Sequence, residues 1–402
     1  MAIKNIIFIA TNTLGNRSAE ATHNVEMAVQ LNKINPVWFI GGIRHGQSIP
    51  DQLRLISNLT IIKCKRKSNK VAHFEYEFKV ISTILKALKT HEHPIVYVRY
   101  RITGLFLFYF LIKQNIPFIV EYNDKTSTQL KYFAKMAKTW SRWGSFIRSN
   151  SLTLWFIETY ESWVCKHAFL VRVVTPQLGD YIKMLTNNNS NVCVIPNATN
   201  IQRFYPQNKH AARIKLGLPL DKTICIHIGS LTPWDGIQDM IHALPYLQNV
   251  LFIVVGNKNQ FYEVLNTLIK EKKVQDQVIF TGGKPQEIVQ EYVAAADICL
   301  LLKAAMDYGL SPIKYYEYMA CGRPILTIND SLINNVINDK CGDVINTPIK
   351  INEIVKKIRN MENMDLDILG KNARIAAEKK YTWEHRSNQL ISCISKSSTH
   401  LK

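Results

Sequence analysis

Short apolar runs alternate with longer amphipathic stretches through most of the 402 residues. In the second half the runs fall at 224–228, 250–255, 278–280 and 297–302. Runs this short, without polar alternation, predict strands buried on both faces. Between them apolar residues recur at helical spacing and predict helices over 237–247, 261–272 and 286–295. Gly229, Gly256 and Thr281-Gly282-Gly283 follow three of the strands. A further short helix is predicted over 312–320, with Pro312 in its first turn, where a backbone N–H lacks a partner anyway. Gly322 ends it, Pro324 forbids its return, and an apolar strand follows at 325–328.

The first half repeats the pattern less regularly. Strands are predicted at 6–10, 37–40, 95–98, 118–122, 168–174 and 192–195, and helices at 19–32 and 104–114. Residues 201–220 read as an irregular crossover, and 383–396 as a last helix. Strands alternating with helices predict an α/β protein with parallel sheets covered on both faces. The length suits two or three domains. Ligands in such sheets bind beyond the carboxyl ends of the strands, so the loops there carry the candidate chemistry.

Composition narrows the picture. No run of about 18 apolar residues exists, so no membrane-spanning helix is predicted. The first residues, MAIKNIIFIATNT, read as a strand and not as a signal peptide. Eight scattered cysteines without a Cys-x-x-Cys pair predict neither disulfides nor a metal site and suit a reducing cytoplasm. The net charge of +19 is uneven: residues 1–200 hold 25 Lys+Arg against 11 Asp+Glu. So basic a half predicts an anionic partner surface: phospholipid, acidic glycan or nucleic acid. No nucleic-acid-binding module is recognisable, which sets nucleic acid aside.

Residues 307–326, DYGLSPIKYYEYMACGRPIL, carry the most chemistry. A loop feeding a helix N-terminus presents free N–H groups and the positive end of the helix dipole, an arrangement that suits phosphate. Lys314 adds a point charge, and Glu317, one turn further in, is placed to accept hydrogen bonds from a sugar diol. The run Glu317-Tyr318-Met319-Ala320-Cys321-Gly322-Arg323-Pro324 resembles the signature of retaining glycosyltransferases of the family 4-like, group 1 kind. That signature is Glu, seven residues, Glu, then Met-Ala-x-Gly-x-Pro. Ser311-Pro312-Ile313-Lys314 fits a subgroup with Ser-Pro-x-Lys before the second Glu. The first Glu falls on Gly309, and Asp307 is two residues off.

The resemblance covers most of 220–345 and the first half loosely. It implies the GT-B architecture, with two facing Rossmann-like domains and a C-terminal helix recrossing to the first. Residues 1–200 would form the acceptor domain, 201–380 the donor domain and 381–402 the return helix. Gly229, Ser230, Trp234, Gly256, Thr281, Gly282, Gly309, Leu310, Ser311, Lys314 and Glu317 would bind the donor, joined by Gly15 and Asn16 from the first domain. Many relatives carry Arg and Lys where this chain has Ser230 and Asp235. The glycine cradle remains, and neutralising the leaving phosphate falls to Lys314 and Lys303, or to a metal. No cofactor is expected beyond a nucleotide-sugar co-substrate, read as UDP-linked, and no metal is expected to be required.

Arg99, Arg101, Asn123, Glu121 and Asp124 lie at the ends of first-domain strands and would rim the acceptor side, with Glu121 or Asp124 orienting an acceptor hydroxyl. His23 either lines that side or packs in the core. The residues bet on for catalysis are Lys314, Glu317, Glu121 and Asp124. Residues 125–157 contain no acid. On a helix, Lys131, Lys135, Lys138 and Arg142 share one arc with Trp140 and Trp143 beside it, the pattern of an interfacial membrane helix. The expected activity is transfer of a sugar to a lipid-linked or surface-polysaccharide glycan at the inner face of the cell membrane. A same-fold nucleotide-sugar epimerase and a catalytically silent assembly partner are the alternatives.

Overall fold

All strand pairs among the described residues run parallel, in two separate sheets. This computed structural model describes residues 5–14, 19–44, 46–64, 70–90, 94–101, 104–136, 150–304, 306–330, 332–333 and 335–399. The chain divides into two units, Met1–Pro196 with Trp383–Lys402, and Asn197–Thr382.

The first unit holds β1 (Asn5–Thr13), β2 (Val37–Arg44), β3 (Asn58–Cys64), β4 (Pro94–Arg99), β5 (Phe118–Tyr122), β6 (Leu170–Val173) and β7 (Val192–Val194), in the order β3-β2-β1-β4-β5-β6-β7. The order reverses between β1 and β4, which makes that junction the ligand-facing crevice of a doubly wound sheet. Helix Ala19–Asn32 follows β1, and helix Trp383–Thr399 packs beside it. Its Trp383 stands edge-on to His23 at 5.0 Å.

The second unit holds β8 (Thr223–Ile228), β9 (Val250–Val255), β10 (Val278–Phe280), β11 (Ile298–Leu301), β12 (Ile325–Ile328) and β13 (Gly342–Ile345), in the order β10-β9-β8-β11-β12-β13. Its crevice lies between β8 and β11. Every residue of β9 is buried, as its unbroken VLFIVV run requires. Alternate residues feed opposite layers: Ile224, Ile226, Leu251 and Ile253 pack into one, Cys225, Phe252 and Val254 into the other.

The structure adds elements that the sequence reading did not list, among them β3, β13 and helices Lys70–Thr90, Pro176–Leu185, Ile351–Glu362 and Leu366–Lys380, and it departs from that reading elsewhere. The crossover 201–220 contains helix Lys209–Leu216, with Asn208 accepting from the Ala211 N–H at 2.9 Å and Gly217 closing it at φ 64°. Arg213 ties this helix to the sheet: it donates to the Ala295 carbonyl at 2.9 Å and pairs with Asp297, whose carboxylate also accepts from the Ile224 N–H at 2.8 Å. The helix expected over 237–247 stops at Ala243 and tightens into a 3₁₀ turn, Leu244–Tyr246, because Pro245 brings no N–H. The stretch 125–157 is not one continuous described helix. Helix Thr126–Met136 is followed, beyond residues outside the description, by helix Ser151–His167, opened by the Asn150 side chain.

The ends of β8 and β9 set the geometry of the second crevice. The Gly229 N–H donates to the Val255 carbonyl at 3.0 Å, and a Cβ on Gly256 would run into the Gly229 carbonyl. Neither atom is on a flexible side chain, so the turn itself would have to move. Gly256→Ala is expected to destabilise the protein by about 1–3 kcal/mol, as overpacking does, and to displace the Gly229 turn. Urea denaturation reads the first effect and nucleotide binding by calorimetry the second.

Candidate functional site

The second unit gathers its candidate residues at the carboxyl ends of β8 and β11. Gly229 leaves β8 at φ 131°, a conformation that favours glycine. The place its Cβ would take is 3.3 Å from Lys314 Nζ and 3.9 Å from His227 Nε2. Helix Ile313–Ala320 thus brings its lysine ammonium to the end of β8, close against the glycine. The loop after Gly229 returns Asp235, buried, with one carboxylate oxygen 3.4 Å from Lys314 Nζ and the other accepting from the Thr232 hydroxyl. Gly236, at φ 71°, then opens helix Ile237–Ala243 against the Leu302 backbone.

The electrostatics of this cluster are uneven. Burial would raise the Asp235 carboxyl, but Lys314, His227, the Thr232 hydroxyl and Lys303 outweigh it and hold it below its ordinary range, so Asp235 is a carboxylate at neutral pH. Burial first, and Lys314 second, push the His227 ring down to about 3, so it is neutral. His227 Nε2 is buried and has no hydrogen-bond partner. An orphaned ring nitrogen beside an ammonium marks a place where a ligand's polar atoms would be welcome.

Helix Ile313–Ala320 supplies the rest. Pro312 stands just before it, extended at ψ 133°, rather than in its first turn, and no side chain caps the helix start. The loop ahead of it is held from within: the Ser311 hydroxyl accepts from the Asn197 N–H at 2.9 Å and lies 3.0 Å from the Tyr316 hydroxyl, and Asn197 Nδ2 donates to the Ser311 carbonyl at 2.6 Å. The Leu310 N–H points to Asp330 Oδ1 at 3.4 Å. Gly309 has φ 71°, so the position of the signature's first Glu is a left-handed turn that favours glycine. Glu317 is half-buried one turn beyond Lys314, Trp234 is half-buried, Ser230 is exposed and Gly256 is buried. The Thr281 hydroxyl donates to the Gly282 carbonyl at 2.9 Å at the end of β10.

In the first unit the candidates separate. Glu121 is completely buried at the end of β5. It accepts from Arg172 Nη1 at 2.6 Å and from the Tyr97 hydroxyl and Asn123 Nδ2. Arg172, also fully buried, donates to His23 Nε2 at 3.0 Å, to the Tyr97 hydroxyl at 2.6 Å and to the Ile195 carbonyl at 3.2 Å. Burial, opposed by Glu121 and aided by Arg172 and Arg99, lowers His23 to about 3. His23 is thus a neutral, packed ring and does not face solvent. Burial also pushes the Glu121 carboxyl up, but His23, Arg172, Arg99 and the Tyr97 hydroxyl outweigh it and hold it near 2. A carboxylate so enclosed orients the network around it; it offers no free oxygen to an acceptor.

Arg101 pairs with Glu20 on helix Ala19–Asn32, and Arg99 Nε lies 3.8 Å from the same carboxylate. Asp124 is half-buried in the loop after β5. Gly15, Asn16, Lys138, Trp140, Arg142 and Trp143 lie outside the described residues, as does the side chain of Lys135; Lys131 is exposed on helix Thr126–Met136. Sequence reasoning missed Glu20, Tyr97, Arg172 and His227. Arg172 and His227 sit inside apolar strand runs, and a charge or imidazole in a strand buried on both faces is the signal that was there to find.

Residues 208–380 match the family model described as glycosyl transferases group 1. The second unit is a group 1 glycosyl transferase domain. The alpha-monoglucosyldiacylglycerol synthase of Streptococcus pneumoniae is 22% identical over 277 residues, which is 66% of this chain and 58% of that protein. The match thus spans less than two thirds of the relative's length. Among solved structures, sucrose-phosphate synthase from Thermosynechococcus elongatus superposes with a TM-score of 0.76 at 19% identity, over 99% of this chain and 100% of that one. Anabaena HepE, in complex with UDP and glucose, gives 0.69 at 15% identity, over 98% and 100%. The fold is that of these GT-B proteins, two Rossmann-like units, and the group 1 domain is the unit that carries the Gly229, Lys314 and Glu317 cluster.

Removing Glu121 would strand the Arg172 charge in the core. Glu121→Ala is expected to cost about 3–5 kcal/mol of stability, the usual result of breaking a buried pair from one side. The folded-state carboxyl, near 2, lies below its ordinary value of 4.5. The pair's contribution is therefore present above pH 4.5 and fades as the pH falls toward 2. Chemical denaturation of wild type and variant across that range checks both the size and the sign.

Proposed function

We propose that the protein is a retaining glycosyltransferase that moves a sugar from a UDP-sugar to a hydroxyl of a lipid-linked glycan. The observation that carries this reading is the cluster at the end of β8. There the Lys314 ammonium and the unpartnered His227 nitrogen line the space left by the Gly229 side chain, beside the uncapped start of helix Ile313–Ala320. That combination suits a pyrophosphate. Glu317, one turn on, would hold the sugar hydroxyls. The bond from the sugar's anomeric carbon to the β-phosphate oxygen breaks as the bond to the acceptor oxygen forms on the same face, and the acceptor proton passes to the departing phosphate. The protein's task is to position the two substrates and to stabilise the charge gathering on the pyrophosphate. The UDP in the HepE complex supports the donor class, and the glucosyl lipid in the streptococcal relative's name supports an acceptor that carries lipid. The matches to glycosyltransferases do not favour the epimerase or the silent partner.

Calorimetry with a panel of UDP-sugars, followed by transfer assays to lipid-linked acceptors, tests this reading. Lys314→Ala is expected to lower kcat/KM about 10²–10³-fold, the scale of losing one charge-stabilising donor, and Glu317→Ala to weaken sugar-nucleotide binding more than UDP binding. Unchanged turnover in Lys314→Ala would refute the assignment.

The same reading places the first unit against the cytoplasmic face of an anionic membrane. Leu152, Trp155 and Phe156 on helix Ser151–His167 are 73%, 65% and 55% exposed. At 100° per residue Leu152, Phe156 and Trp163 fall within about 40° of one another. The face continues through Tyr109, stacked 6.5 Å from Trp163, to Phe106, stacked 5.8 Å from Phe78. Exposed aromatic surface on so basic a half fits an interfacial lipid contact. No described helix is long and apolar enough to cross a membrane. Co-sedimentation with phosphatidylglycerol vesicles should fall at least tenfold in the double variant Trp155→Ser with Phe156→Ser, about the loss of two interfacial aromatic side chains, and should weaken with added salt in wild type.

A further inference from the structure

The cluster at the end of β8 contains a residue that works against anion binding. Asp235 is 7% exposed, its carboxylate lies 3.4 Å from Lys314 Nζ, and Lys303 acts on it as well. A carboxylate buried so close to the ammonium cancels much of the charge an incoming pyrophosphate would feel. Its other oxygen is fixed by Thr232, so it does not swing away freely. The charge is also kept: Lys314 and its neighbours hold Asp235 ionised against the effect of burial.

Donor and product differ in charge at this point. The pyrophosphate of a nucleotide sugar is esterified at both ends and carries two negative charges. Once the sugar has left, the terminal phosphate gains a second ionisable oxygen, with a pKa of about 6 for a phosphate monoester. The free nucleoside diphosphate thus carries close to three negative charges at neutral pH. A site lined by Lys314 and the neutral His227, with the Asp235 carboxylate 3.4 Å from the ammonium and Lys303 also acting on it, attracts that third charge less than the same site without the carboxylate would. The geometry points to Asp235 as a charge filter that makes the group 1 domain favour the doubly charged sugar nucleotide over the triply charged product. This inference rests on the pyrophosphate reading of the Gly229–Lys314 site. It makes Asp235 a specificity-determining residue that acts through Lys314, easing product release at some loss of donor affinity.

The test compares binding of UDP with binding of the UDP-sugar that wild type prefers, by calorimetry at pH 7.5, in wild type and in Asp235→Asn. Asn keeps the shape and can still accept from Thr232; Asp235→Ser removes the charge with a smaller side chain and is read in the same way if the first variant does not fold. Both nucleotides are expected to bind more tightly, UDP by about tenfold more than the sugar nucleotide, which is the scale of one partly screened unit charge. In steady state, product inhibition by UDP should tighten by the same ratio. A loss of affinity for both ligands, or an equal gain for both, would overturn the filter while leaving the pyrophosphate reading intact. So would a magnesium-dependent gain in UDP affinity in wild type that Asp235→Asn lacks, because Asp235 would then be a metal ligand. If wild type binds neither UDP nor any sugar nucleotide, the reading of the site itself has failed.

Discussion

The Gly229 turn governs the second unit. With no Cβ at 256, the ends of β8 and β9 close to backbone contact, and a lysine ammonium from another element comes up against Gly229. Everything chemical in that unit follows from this packing. Lys314 is aimed by its helix, whose start is fixed by the Ser311, Asn197 and Tyr316 hydrogen bonds. Asp235 reaches Lys314 because the loop from Gly229 is short and Gly236 turns it back against Leu302. A Cβ at 229 would crowd the Lys314 ammonium at 3.3 Å, and the residue carrying it would have to adopt φ 131°, so the position favours glycine.

The two units use buried charge in opposite ways. In the first, Glu121, Arg172, Tyr97, Asn123 and His23 bond to one another where β4, β5 and β6 meet helix Ala19–Asn32, with only Arg172 Nε left over among the atoms of Glu121 and Arg172. Such a network rigidifies the strands it joins and tolerates no missing member. In the second, the balance is left incomplete: an imidazole nitrogen has no partner and an ammonium is shared with one carboxylate. An imidazole nitrogen left without a partner beside an ammonium keeps capacity for a ligand's polar atoms.

The sequence made the strands and the short helix legible because their signals are local. Unbroken apolar runs gave β8, β9 and β11, and the Pro312 and Gly322 pair bracketed helix Ile313–Ala320 to within one residue. What it did not make legible is pairing across long separations. Nothing near Glu121 in the chain points to Arg172, and nothing near Asp235 points to Lys314, because those partners are chosen by the order of strands in the sheet. Gly309 illustrates a second limit. As a letter it is a missing Glu; as backbone it is a left-handed turn, which the letter alone does not announce. Helix Lys209–Leu216 was overlooked although Asn208 and Gly217 mark both ends, because a short polar helix shows little hydrophobic periodicity.

The excess positive charge gains meaning from where it is not neutralised. In the group 1 domain, acids match bases at Lys209 and Arg213 with Asp297, at Lys357 with Asp343 and at Lys380 with Asp339, so part of its charge holds elements together. In the first half the bases outnumber the acids more than two to one, and Glu20 and Glu121 are already committed to Arg101 and Arg172. Arg54 and Lys79 are paired as well, with Asp51 and Glu75, and the excess of bases over acids gives this half a positive field. A field of that sign, beside an aromatic face that the unit's own core does not cover, is suited to a surface that is both apolar and anionic. The lipid leaflet proposed as this unit's partner would meet both requirements at once, which a soluble acidic glycan would not.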